Sequence, residues 1–251
     1  MRSYKIKLVP FLLGMLGISI VIGIHEFGHW SMCHLFGVAT PNVSIGIGPA
    51  LFDFSLGKTQ VSVGIFPLGG YVEMLGPRQA IPGFEQASFA SKPLGQKVLI
   101  LLGGIIFNVL SGLLTVLFIK RRRRKRLETA QPEDGSDPGE TLTGANGAER
   151  RQGIIGPLGI ISLLMRSSEQ GREFYLFLLG VLSINLGIFN LLPLPLLDGG
   201  QLVLTLYESL TGSALSDLTY DTLSLITIII VVAVAIYATG RDLWALRRTK
   251  K

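Results

Sequence analysis

Charge is scarce in this chain. Only 16% of its 251 residues are Asp, Glu, Lys or Arg, against 48% hydrophobic, whereas a soluble domain carries about 25% charged residues. With a positive mean hydropathy, this excludes an ordinary soluble domain and implies an integral membrane protein. Cysteine is scarcer still. Cys33 stands alone, which excludes an intrachain disulfide and says nothing about compartment. There are three histidines, at 25, 29 and 34, so a metal site cannot be built from histidine in quantity. No cleavable signal peptide with a small-residue cleavage site follows the first apolar run, and no internal repeat is visible. The net charge of +6 does not point to nucleic acid. Most of the excess lies in Lys120 to Arg126 and around the ends of apolar runs, where membrane topology and anionic lipid account for it.

What is present is four long apolar runs: about Leu8 to Trp30, Val98 to Ile119, Phe174 to Leu192, and Leu223 to Ala238. Each approaches the length that crosses a hydrocarbon core of about 30 Å. The third must break at Pro193 and Pro195, which lack a backbone N–H and clash with the preceding turn. Trp244 follows the fourth as an interface anchor. Between runs one and two, Val43 to Gly48 and Thr59 to Ile65 alternate in the period-two manner of strands, with Gly57-Lys58 at a turn. The fold expected is an α-helical polytopic membrane protein of about four transmembrane helices, with a small membrane-associated β-sheet between spans one and two. So few charges occur in that sheet that it reads as re-entrant beside a cavity, with a surface hairpin as the alternative. Three regions follow: 1–119 as the first membrane half, 120–152 as a basic and then polar flexible linker, and 153–251 as the second half. Gly153 to Ile161 is apolar but too short to span, which suits a short helix lying at the interface.

The chemistry concentrates in His25-Glu26-Phe27-Gly28-His29, at the end of the first run. Residues four apart share a helix face, so His25 and His29 can offer two imidazole nitrogens to one Zn²⁺, with Glu26 close enough to act as a general base. An ionisable residue inside a transmembrane helix costs roughly 2.5–3.5 kcal/mol on insertion scales, which makes it a functional hypothesis. A catalytic zinc needs a third protein ligand. His34 points off the shared face, leaving a carboxylate or Cys33. The best candidate is Asp198, in Asn190 to Gly200, just after the proline-broken run. Counting spans brings it to the same membrane side as the histidines. The alternative role for Asp198 is a helix N-cap. Asn108 lies on a stripe with Gly104 and Gly112, and Asn185 and Asn190 are further isolated amides. Each either bonds between helices or, for Asn108 and Asn190, orients substrate or stabilises an oxyanion.

Together these residues resemble the site-2 protease family of intramembrane zinc metalloproteases, of the bacterial envelope-stress regulator type. The resemblance rests on the HEFGH run, Ser44 to Gly48, Phe66 to Val72, Asn108 in a glycine-rich span, and Asn190 to Gly200. It covers nearly all of the chain outside Lys120 to about Gln152. It implies Zn²⁺ held by His25, His29 and Asp198, Glu26 as general base, and a sheet over about Val43 to Met74 that holds substrate extended. Val61, Gly64, Gly69, Gly70 and Tyr71 are its candidate substrate-strand residues. The implied substrates are single-pass transmembrane proteins, and the implied setting is a bacterial inner membrane.

Two departures stand out. A PDZ domain is usual in the family between spans two and three, and here only a short polar linker occupies that position, so substrate filtering by such a domain is expected to be absent or supplied by an accessory protein. The family's glycine-proline pair before the span-two asparagine is Gly103-Gly104 here. In the family the site opens toward the cytoplasm, whereas the basic clusters of this chain lie on the opposite side from the site. The positive-inside rule would make that side cytoplasmic, so the two criteria for orientation conflict. A metal transporter or non-catalytic scaffold using the same residues is the competing class. It is disfavoured because the polar groups converge on one point rather than along a path.

Overall fold

The computed structural model describes residues 8–129, 157–213 and 215–248. In chain order these form α1 (Leu8–Leu35), β1 (Asn42–Leu56), β2 (Thr59–Val72), α2 (Leu94–Thr129), α3 (Pro157–Glu169), α4 (Arg172–Phe189), α5 (Asp198–Thr211) and α6 (Asp217–Arg248). Four helices are long and apolar enough to cross a membrane: α1, α2, α4 and α6. The chain is therefore a multi-pass membrane protein, helical apart from one small sheet between the first and second spans. Most of the expected linker, the first seven residues and the last three lie outside the described residues.

α1 shows how a membrane bundle inverts soluble patterning. Its exposed face carries Leu8, Leu12, Leu16, Ile20 and Phe27. Its buried face carries Gly14, Gly17, Val21, His25 and Gly28 at spacings of three and four. Lipid is as apolar as leucine, so large side chains face outward and small or polar ones mark the helix contacts. A Cβ on Gly28 would strike the Gly103 carbonyl, and one on Gly103 would lie 2.7 Å from the Gly28 oxygen. The α1 and α2 backbones therefore touch. Further along α2, a Cβ on Gly112 would lie 2.5 Å from the Gly180 oxygen of α4, and Ser111 faces Ser183 at 3.2 Å between hydroxyls. α4 thus brings Gly180, Ser183 and Gly187 against the α2 stripe that was legible as Gly104, Asn108 and Gly112.

Of the apolar stretch expected as a short helix, Gly153 to Gly156 lie outside the described residues, and the rest begins α3, which packs against α1, α4 and α6 and buries Leu164 completely beside Val21 and Leu179. A Cβ on Gly14 of α1 would lie 3.4 Å from the Ile161 oxygen. The residues after Asp198 form the separate helix α5, too short to be a span. α2 is longer than its apolar part. Its 36 residues span about 54 Å, so it carries the basic run well past the end of a hydrocarbon core.

β1 and β2 pair antiparallel across the turn at Gly57-Lys58, from Leu56↔Thr59 to Phe52↔Val63. β1 bends at Gly46 and Gly48, whose φ values of +93° and +89° suit glycine and few other residues. The bend places the start of β1 between two parts of β2: Val43 faces Val61 and Val72, Ser44 faces Ser62 and Tyr71, and Ile45 faces Val63 and Gly70. The sheet exposes Leu51, Phe52, Phe54 and Phe66, an apolar surface resembling that of the lipid-facing helices.

Gly28→Val should lower thermal stability in detergent. Forcing side-chain atoms into a backbone contact costs about 1–3 kcal/mol, or about 2–4 °C per kcal/mol in a chain of this size. Leu114→Val on the exposed face of α2 should leave the midpoint unchanged.

Candidate metal centre

His25 and His29 leave α1 on its buried face, with ring centroids 4.7 Å apart at 81° and Nε2 atoms 3.2 Å apart. Asp198 Oδ2 lies 3.1 Å from His25 Nε2 and 3.3 Å from His29 Nε2. This is the one group of three metal-ligating side chains found together among the described residues. Ligands held tetrahedrally at 2.0–2.1 Å from zinc are about 3.3 Å apart, so the triangle has the dimensions of three corners of such a site. Asp198 Oδ2 is buried, and no donor meets it in hydrogen-bonding geometry. A buried carboxylate oxygen without a donor is costly, and a cation shared with the two imidazoles would satisfy it. The residues therefore fit a metal ion with one corner open.

The approach of Asp198 is built by the segment before it. α4 ends at Phe189, ahead of the two prolines, and the chain folds back so that Gly199 N–H donates to the Asn190 carbonyl at 2.7 Å. Cβ atoms on Gly199 or Gly200 would strike the backbone of Leu191 or Leu194, so both glycines are required by close approach. Gln201 Nε2 donates to the Pro195 carbonyl at 2.6 Å. The N-cap role does not apply to Asp198. Leu197 is the cap residue and makes no side-chain cap bond, and Asp198 is the first residue of α5, its carboxylate turned to the imidazoles.

α2 forms the wall behind the ligands. A Cβ on Gly104 would collide with His29 Nε2 and come within 2.8 Å of His25 Nδ1. His29 Nδ1 lies 2.9 Å from the Ile100 carbonyl, which can accept its proton and fix the ring. Asn108 Nδ2 lies 3.2 Å from His25 Nδ1, and Asn108 is completely buried. Glu26 is buried beside them, and β2 passes directly over it. A Cβ on Gly70 would fall 2.8 Å from Glu26 Oε1.

Other candidates are placed elsewhere. Asn190 Nδ2 donates to the Leu186 carbonyl of its own helix at 3.0 Å, and Asn185 Nδ2 donates likewise to Val181. His34 is exposed and stacks on Trp30 at 5.5 Å. Cys33 is sealed in an apolar cluster with Val38, Phe89, Ile100 and Leu101. Within the sheet, Val61 has partners on both sides, Val43 and Phe54, and Gly64 is crowded by the backbone of Gly46 and Ile47. Gly70 and Tyr71 have ladder partners on one side only, among the described residues, and a Cβ on Gly69 would meet open space. The sheet edge nearest Glu26 is therefore the stretch from Gly69 to Val72, and Val61 and Gly64 lie inside the sheet. Two contributors were not read from the sequence: the Ile100 carbonyl and Ser183. Only Ser183 carried a signal, as the polar member of the small-residue stripe Gly180, Ser183 and Gly187.

A helical membrane bundle that brings a histidine pair and an aspartate to one buried point, next to a glutamate, has the parts of a metallopeptidase. The chain matches the model of Peptidase family M50 over residues 13–234 and belongs to that family. It is 23% identical to "Putative zinc metalloprotease Cj1068" of Campylobacter jejuni, over 95% of this chain and 94% of that protein. A protein of the same description from Rickettsia conorii is 23% identical over 90% of this chain and 96% of its own length. One from Thermotoga maritima is 39% identical over 44% of this chain, but the match covers only 22% of that protein. The Campylobacter alignment runs over 348 positions against 251 residues here, so that relative carries a long stretch without counterpart in this chain.

Gly104→Ala should lower affinity for Zn²⁺ by about 100-fold or more, because both imidazoles must leave their positions. Gly95→Ala in the same helix, where a Cβ meets open space, should bind as wild type in competition with a chromophoric chelator.

Proposed function

We propose that this protein is an intramembrane zinc metalloprotease that cleaves single-pass transmembrane proteins within or near the bilayer. The observation that carries this reading is the convergence of His25, His29 and Asp198 with Glu26 one residue away, under the edge of β2 at Gly70. His25 Nε2, His29 Nε2 and the Asp198 carboxylate would hold Zn²⁺. When bound there, zinc polarises a carbonyl and makes water a nucleophile near neutral pH.

The protein's own groups do the rest. Glu26 takes the proton of the attacking water and returns it to the leaving amine. Its burial beneath the sheet at Gly70 shields it from bulk water, so a proton it takes stays at the reacting centre. A helical substrate hides its carbonyls in its own hydrogen bonds and must unwind to be cut. The unpaired side of Gly70 and Tyr71 offers backbone groups to the unwound segment, by strand addition at a sheet edge. Asn108 and Asn190 have their amides engaged within the protein, which favours orientation of the site over direct contact with substrate.

The test is cleavage of a model single-span substrate by purified protein in detergent, wild type beside Glu26→Gln, with bound zinc measured in both. Cleavage by wild type alone, with about one zinc in each, is the expected result. Stoichiometric zinc with no cleavage of several substrates would instead favour a non-catalytic scaffold. Gly70→Ala is expected to keep its zinc and lose about 10- to 100-fold in cleavage, since displacing a catalytic group by about 1 Å can cost that much. Gly95→Ala, where a Cβ meets open space away from the sheet edge, should cleave as wild type.

A further inference from the structure

His25 presents Nε2 to the ligand cluster and turns Nδ1 toward α2, where Asn108 Nδ2 waits at 3.2 Å. Behind Asn108, the Ser183 hydroxyl of α4 lies 3.2 Å from Asn108 Oδ1, 3.0 Å from the Asn108 carbonyl and 3.2 Å from Ser111 Oγ. Asn108 is completely buried and Ser183 nearly so, so bulk water does not reach them. A carboxamide NH₂ can only donate. An imidazole that offers its Nε2 lone pair to a cation carries its proton on Nδ1, and there it also only donates. Two donors would then face each other at 3.2 Å. Half a turn of the carboxamide about its last bond exchanges oxygen and nitrogen with almost no change of shape. The oxygen then accepts from His25 Nδ1–H and the NH₂ donates to Ser183 Oγ. The Ser183 proton remains free to go to the Asn108 carbonyl, so His25 Nδ1–H, one amide N–H and the Ser183 hydroxyl each have an acceptor.

We propose that Asn108 and Ser183 form an orienting chain for His25, in which Ser183 holds the Asn108 carboxamide with its oxygen toward Nδ1 and so keeps the Nε2 lone pair aimed at the metal. This rests on the zinc reading above. Asn108 and Ser183 are positioning residues, and Ser183 acts on the site from a helix that supplies no ligand. Outer partners of metal-binding histidines typically govern about 10- to 100-fold in metal affinity.

The test measures Zn²⁺ affinity of the full-length protein in detergent by chelator competition, with thermal unfolding of each metal-free variant. Asn108→Leu is expected to bind about 10- to 100-fold more weakly, whereas Asn108→Asp, which keeps an acceptor toward Nδ1, stays within about three-fold of wild type. Ser183→Ala is expected to lose about 3- to 10-fold alone and to add nothing to Asn108→Leu, because it acts only through that side chain. An Asn108→Asp variant as weak as Asn108→Leu would overturn the proposal. So would an Asn108→Leu variant that binds as wild type, or full additivity of the Ser183 effect. If Asn108→Leu fails to fold, Ser183→Ala and Asn108→Asp decide: loss in the first without loss in the second supports the chain, and any other pattern overturns it. Failure of wild type to bind zinc at all would overturn the metal reading itself, and is recognised separately because it appears without any substitution.

Discussion

The contact between the backbones of α1 and α2 governs what the rest of the molecule can do. Gly28 meets Gly103, and Gly104 lies against both imidazoles. Only helices without side chains at the crossing come this close. At that separation the Ile100 carbonyl and the Asn108 amide reach the outer nitrogens of His29 and His25. At a more ordinary helix separation of 8–10 Å, those groups would be out of reach. The histidines would then face lipid or each other with no fixed orientation. A packing constraint set by three glycines thus becomes a constraint on which ring atoms point where.

Bringing two nitrogen lone pairs and a carboxylate oxygen within 3.1–3.3 Å of one another is unfavourable in a medium of low dielectric unless something positive lies between them. The fold supplies the rigidity to hold the triangle. Asp198 is fixed by the return of the chain onto Asn190, by the crowding at Gly199 and Gly200, and by Gln201 bonded to Pro195. Gln201 also meets the hydroxyl of Tyr220, whose ring lies 3.6 Å beneath the Arg78 guanidinium. Arg78 in turn pairs with Asp221 at 3.1 Å. A chain of polar contacts therefore runs from the loop after β2, across the start of α6, to the helix that carries the aspartate.

Much of this was legible because membrane chains write their contacts in small and polar letters. The histidine pair, Glu26 and the Asn190 to Gly200 segment stand out in an apolar background. Four spans and a strand pair between the first two follow from run lengths and alternation. The α2 stripe of Gly104, Asn108 and Gly112 was visible as spacing, but its partner was not, since nothing local says that Gly180, Ser183 and Gly187 oppose it. The packing of α3 was not legible, because a short apolar stretch does not say which helices it meets; Leu164 is buried against Val21 of α1 and Leu179 of α4. Of the candidate substrate-strand residues, Val61 and Gly64 fall inside the sheet, because alternation gives faces but not ladder order. The bend at Gly46 and Gly48 slots the start of β1 between two parts of β2, which seals Val61 inside and leaves Gly69 to Val72 outside.

The α2–α4 seam has a consequence for how the chain can change length. α2, which ends at Thr129, packs on α1 and α4, and α3, which begins at Pro157, packs on α1 and α4 as well, so the site does not rely on the stretch between them to bring Asp198 to the histidines. The closure entropy of a loop grows only with the logarithm of its length, about 0.6 kcal/mol for each doubling. A site held by helix seams therefore tolerates a change in connection length at little thermodynamic cost while its reacting groups stay in register.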